Sequence, residues 1–138
     1  MIIRENTRET VSSASEVVKV LRAILASDSE IDRDKEHLWS IGLNTKNVIK
    51  FVDLVSLGTL TGSLVGPREF FRLAVKKGVA SIICIHNHPS GDPTPSRDDL
   101  AVTERLKNAG EILGIALLDH VIIGDNESFI SLKERGVL

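Results

Sequence analysis

Between Val79 and Ile85 the chain runs Val-Ala-Ser-Ile-Ile-Cys-Ile, with no charge and no apolar-polar alternation. Such a run, bounded by Gly78 on one side and by a polar segment from His86 on the other, fits a strand buried on both faces. A doubly buried strand needs other elements packed over it, so the search narrows to layered α/β architectures.

The rest of the chain supplies those layers. Ser13-Ala14-Ser15-Glu16 reads as a capping box ahead of an apolar stripe at Val17, Val18, Leu21, Ile24 and Leu25, which has helical spacing. Ser27 to Lys35 is a polar loop. Glu36 to Leu43 alternates as a strand with His37, Trp39, Ile41 and Leu43 on one side, and after the turn Asn44 to Asn47 a second strand, Val48 to Ser56, completes a hairpin. A Gly- and Thr-rich connection, Gly58 to Gly66, leads to a helix opened by Pro67 and closed by Gly78. After the Val79–Ile85 strand come a proline-rich stretch from His88 to Pro95 and a helix from Arg97 to about Leu113, ended by Gly114. Ile115 to Ile123 is a strand, Gly124 to Asn126 a tight turn, Ser128 to Leu132 a short strand, and the chain ends in a turn of helix. The order α-β-β-α-β-α-β-β predicts a mixed sheet with helices packed against it.

At 138 residues the chain has the size of one ordinary domain. With no Tyr, one Trp and four Phe, its core must be largely aliphatic. A formal charge of −2 gives no overall field to hold a polyanion, which argues against a stand-alone nucleic-acid binder. The single cysteine, Cys84, excludes an intrachain disulfide and sits in the apolar run, where a thiol packs as a small hydrophobe. Neither a signal peptide nor a membrane span is visible, so a cytoplasmic location and no membrane partner are expected.

The chemistry concentrates in His86-Asn87-His88-Pro89-Ser90-Gly91-Asp92-Pro93-Thr94-Pro95-Ser96-Arg97-Asp98-Asp99. Histidines at i and i+2 on an extended segment project to one side, so both imidazoles can reach one metal ion, with Asn87 turned the other way. Three prolines and a glycine within seven residues restrict the loop and fix where the next helix starts. Ser96 at the helix N-cap and Asp99 three residues on then bring a hydroxyl and a carboxylate to the same helix end. A lone His-x-His is usually inert, and Ser-x-x-Asp before a helix is most simply a cap. Their conjunction at the end of a buried strand, however, predicts a three-ligand zinc site of His86, His88 and Asp99 with an open position, the catalytic pattern.

This segment resembles the JAMM, or MPN-plus, metallopeptidase signature His-x-His-x7-Ser-x2-Asp. It is most similar to the RadC-type bacterial branch, which runs His-Asn-His-Pro-Ser-Gly-Asp-Pro-x-Pro-Ser at this place. Gly58-Thr59-Leu60, Pro67-Arg68-Glu69 and Leu118 to Gly124 are also similar to RadC sequence, so the resemblance extends from Lys35 to Leu138. It implies an α-β-α sandwich with a mixed central sheet, of the JAB/MPN, cytidine-deaminase-like kind, over residues 35–138, with the helix and loop of residues 1–34 part of the same unit. It also implies one Zn2+ per chain, Ser96 assisting an oxyanion, and the family's catalytic glutamate at Glu36, for which Glu30 and Glu69 compete. The chain departs from RadC sequences at Gly66, usually His, at Thr61-Gly62, usually an Asn-containing pair, and in lacking the usual N-terminal helix-hairpin-helix region.

The expected function is zinc-assisted hydrolysis of a peptide or isopeptide bond, with Glu36 as general base and Ser96 as oxyanion donor. One alternative is a DNA-repair-associated or nucleic-acid-processing module using the same metal, with Arg68, Arg72, Lys76 and Lys77 as a small basic face. Another is a metal-stabilised scaffold without turnover. Asp119-His120, which interrupts an apolar strand, reads as a buried polar pair or a partner of a metal ligand. His37 is expected at the solvent or the sheet edge, and Cys84 in the core.

Overall fold

The structure, a computed structural model, describes residues 1–26, 35–57 and 65–138. Its elements are β1 (Ile2–Glu5), α1 (Ala14–Ala26), β2 (His37–Leu43), β3 (Ile49–Leu57), α2 (Pro67–Lys77), β4 (Ser81–Asn87), α3 (Arg97–Leu113), β5 (Ala116–Ile123) and β6 (Phe129–Ser131). The strands form one sheet in the order β1-β3-β2-β4-β5-β6. Only β4 and β5 run parallel, with α3 as their crossover; the other neighbours are antiparallel.

Strand periodicity divides the core into two layers. Trp39, Ile41, Leu43, Ile83, Ile85 and Val121 pack against Val17, Val18, Leu21 and Ile24 of α1. Leu38, Phe51, Ile82, Cys84 and Leu117 pack on the opposite face against Phe70, Phe71 and Ala74 of α2 and Val102 and Leu106 of α3. The result is a sheet with one helix on one face and two on the other, the expected α-β-α sandwich. Cys84 is fully buried in the second layer, and burial pushes its thiol well above the ordinary range. No described helix is long and apolar enough to cross a membrane.

Several expectations change in detail. The doubly buried strand is β4, which starts two residues later than the apolar run and continues through His86 and Asn87. β1 is an added edge strand that pairs with β3 and has no pattern of its own to announce it. At α1, Ser13 Oγ accepts from the Glu16 amide at 3.3 Å, but the Glu16 carboxylate reaches back to Ser12 instead of closing the box on Ser13. After β6 the chain closes one i→i+4 turn, Arg135 N to Ser131 O, the single turn of helix expected, and Gly136 N bonds Lys133 O. Most of the Ser27 to Lys35 loop, with Glu30, and Gly58 to Leu64, with Thr61-Gly62, lie outside the described residues.

The packing of α3 is tightest at Gly110. A Cβ there would collide with the Ile115 carbonyl oxygen and approach Phe71 Cζ to 3.2 Å. Helix propensity alone favours Gly→Ala by ~1 kcal/mol, but backbone and a buried ring cannot yield cheaply. Gly110→Ala is therefore expected to destabilise by about 1–3 kcal/mol, read as a lowered urea midpoint at unchanged m-value.

Candidate metal centre

β4 delivers His86 from the face that carries Ile82 and Cys84, toward α3, and His86 is 1% exposed. His88 follows one residue past the strand end, where its amide still bonds Ile123 O of β5 at 2.9 Å. The extended backbone thus puts both rings on one side, with Nε2 atoms 3.0 Å apart.

The loop to α3 is braced from within and without. Asp92 Oδ1 accepts from Thr94 N at 3.0 Å and Thr94 Oγ1 at 2.7 Å, and these hydrogen bonds, the side-chain one first, hold its carboxyl below the ordinary range. Gly91 takes φ 92°, a conformation suited to glycine, and its carbonyl accepts from Asp125 N at 2.8 Å, tying the loop to the β5–β6 turn. This bracing places Ser96 as N-cap of α3. Its hydroxyl accepts from Asp99 N at 3.1 Å and its amide donates to Asp99 Oδ2 at 2.8 Å, a complete capping box.

The same carboxylate meets the histidines: His86 Nε2 lies 3.1 Å from Asp99 Oδ1 and His88 Nε2 lies 3.0 Å from Oδ2. Burial alone would raise the Asp99 pKa, but its contact with the His86 ring and the bonds from Ser96 outweigh it and hold the carboxyl well below the usual range. His88 Nδ1 is 2.8 Å from the Asp92 carbonyl, which can only accept, so that nitrogen is the donor and Nε2 is the atom turned to Asp99. Two imidazole nitrogens and a carboxylate converge here at distances that a single cation can bridge. The donor set fits the group: His86, His88 and Asp99 could together hold a metal ion, and two nitrogens with a carboxylate suit a divalent first-row ion. Among the described residues no fourth His, Cys, Asp or Glu joins them.

Glu36 directly precedes β2. Leu38 pairs with His86 in the β2–β4 register, which brings the start of β2 alongside the end of β4 that carries the histidines. Asn87, between the two histidines, fastens this segment: its Oδ1 accepts from His37 N at 2.6 Å and its Nδ2 donates to Lys35 O at 3.0 Å. Both peptide groups flanking Glu36 are thereby held. The competitor Glu69 sits exposed in the first turn of α2, paired with Arg68 at 3.3 Å.

His37 differs from expectation, whereas Asp119-His120 is the buried polar pair expected. His37 is 4% exposed, because β2 is an interior strand paired on both sides; its ring stacks on Trp39 at 5.1 Å and its Nδ1 lies 2.8 Å from Lys35 O. Asp119 does not touch the His120 ring; its carboxylate takes the His120 amide, Ser131 Oγ and Lys133 N, joining β5 to the segment around β6. His120 is the residue that reaches the centre: its Nε2 lies 2.7 Å from His86 Nδ1 and its Nδ1 lies 2.5 Å from Thr103 Oγ1. Burial pushes its pKa down to about 3. The signal for His120 in the sequence is a histidine inside an apolar strand; its contact with His86 depends on the parallel pairing of β4 and β5.

Comparison with known proteins agrees with this geometry. Residues 11–137 match the RadC-like JAB domain family. A UPF0758 protein of Desulforamulus reducens is 54% identical over 107 residues, 78% of this chain and 47% of its own length. One from Geobacillus kaustophilus is 58% identical over 102 residues, 74% of this chain and 45% of its own. One from Listeria monocytogenes is 49% identical over 135 residues, 98% of this chain and 58% of its own. The chain spans about half the length of these curated relatives. With its α-β-α sandwich and its His-His-Asp cluster, the chain belongs to the RadC-like JAB domain family.

Proposed function

We propose that the chain is a zinc-dependent hydrolase of amide bonds, a metallopeptidase or isopeptidase. The observation that carries this reading is the convergence of His86 Nε2, His88 Nε2 and the Asp99 carboxylate at contacts of 3.0 and 3.1 Å. Three ligands without a fourth are the catalytic pattern of zinc, whereas structural sites are closed by four. When bound, a zinc ion supplies Lewis acidity and an acidified water with a pKa of ~7.

The chain's own groups divide the remaining work. Glu36, held at the His88 end of β2, accepts a proton and delivers it to the leaving amine. The Ser96 hydroxyl donates to the oxyanion that develops on the carbonyl. Substrate reaches the cluster through the pocket that His86 and Asp99 line together with Leu38, Val65, Asp98 and Val102. Asp98 in this lining favours a neutral amide over an anionic phosphodiester. On α2, Arg68 pairs with Glu69 and Lys77 with Glu5, so two of the four basic residues considered for nucleic acid have acidic partners.

The test is metal content of protein purified without added zinc, in wild type and in His88→Ala, beside turnover of a panel of peptide and isopeptide substrates. The expected result is ~1 zinc per wild-type chain and near none in the variant, with turnover lost on chelation. Wild-type protein without a bound first-row ion would end the metal reading. Metal without turnover on any substrate would leave the scaffold alternative in its place.

A further inference from the structure

We infer that His120 and Thr103 are positioning residues for the metal centre, fixing His86 in the tautomer whose Nε2 is bare. The inference rests on the metal reading, but its core is a chain of hydrogen bonds whose direction can be followed atom by atom.

The chain starts on α3. Thr103 lies one turn after Asp99, and its Oγ1 is 2.8 Å from the Asp99 backbone carbonyl, which only accepts. The hydroxyl has one hydrogen, and this contact takes it. At the second contact, 2.5 Å to His120 Nδ1, the hydroxyl oxygen is therefore the acceptor and the ring nitrogen the donor. His120 is 0% exposed and its ring nitrogens contact Thr103 and His86, so with its proton on Nδ1 it turns Nε2 to His86 as the acceptor. That atom can only accept at its 2.7 Å contact with His86 Nδ1, which puts the His86 proton on Nδ1. His86 Nε2 is left with its lone pair toward His88 and Asp99.

Reversed polarity is the alternative. It would put a hydrogen on His86 Nε2, where a metal ion would have to displace it, and would leave the Thr103 and Asp99 oxygens 2.8 Å apart with no hydrogen between them in a dry interior. The forward direction avoids both. One element thus supplies a ligand, Asp99, and, four residues later, the hydroxyl that orients a second ligand on a different strand. Asp119, adjacent in sequence, has no part in the relay because its carboxylate is spent on the β6 side.

Two measurements test the relay. Nitrogen-15 NMR of the metal-free wild type is expected to find protons on Nδ1 of His120 and of His86; a His86 ring bare at Nδ1 overturns the inference whether or not the protein takes up zinc. Zinc affinity by chelator competition is expected to fall on the order of 10-fold in Thr103→Val and about 10–100-fold in His120→Leu, and to return in Thr103→Ser. Thr103→Val that folds and binds zinc as wild type does, or that only melts earlier, shows a merely structural role and overturns it as well. If the His120 variant does not fold, the near-isosteric Thr103→Val and the wild-type spectrum decide. Failure of the metal reading is separate, since it appears as absence of zinc from wild-type protein.

Discussion

Glu36→Gln is expected to keep its zinc and to lose ~10²–10⁴ of its turnover, the usual contribution of a general base. Gln has the size and shape of Glu but cannot take up a proton in the working pH range. The position should not move, because Asn87 holds the peptide groups on either side, through His37 N at 2.6 Å and Lys35 O at 3.0 Å. The β2–β4 register, with Leu38 against His86, anchors the same segment to the strand that carries the ligands. Loss of turnover at unchanged metal content and melting temperature would therefore report the carboxylate alone. Steady-state kinetics on a substrate from the peptide and isopeptide panel, with metal analysis of the same samples, is the measurement. Turnover within ~10-fold of wild type would remove Glu36 as the base.

The stretch from β4 to α3 is legible from the sequence because its constraints are local. An apolar run ends in His-Asn-His, prolines and Gly91 restrict the loop, and Ser96 with Asp99 closes a cap four residues long. Each of these depends on neighbours in the chain, and together they are enough to converge His86, His88 and Asp99. What escapes the sequence is set by partners far along the chain. His37 looks like an exposed strand end until β3 and β4 pair on both sides of β2 and Trp39 stacks beneath it. β1 is four residues whose pairing comes from the free edge of β3. His120 meets His86 only because β5 returns parallel beside β4 while α3 lays Thr103 over it, a contact 34 residues apart in sequence. The Asp119-His120 pair is legible as buried and polar, but the sequence does not show that the two side chains act in different places, His120 on His86 and Asp119 on Ser131.

Ser96 has two jobs that a pair of substitutions can separate. Its oxygen accepts from the Asp99 amide at 3.1 Å, which caps α3, and that bond leaves the hydroxyl hydrogen available to an oxyanion. Alanine removes both functions and costs about 1 kcal/mol of stability, whereas glycine at an N-cap costs only a few tenths of that. If the hydroxyl acts on the substrate, Ser96→Ala and Ser96→Gly should each lose ~10²–10³ in turnover with zinc retained, despite their different stabilities. If the hydroxyl acts only by capping, the loss should track stability instead, and glycine should keep most of the activity. Zinc is expected to stay in both variants because the Ser96 amide, which donates to Asp99 Oδ2 at 2.8 Å, belongs to the backbone and survives either change. Zinc lost from both would make Ser96 a support of the ligand Asp99, and parallel melting curves and kinetics for the two variants decide among these outcomes.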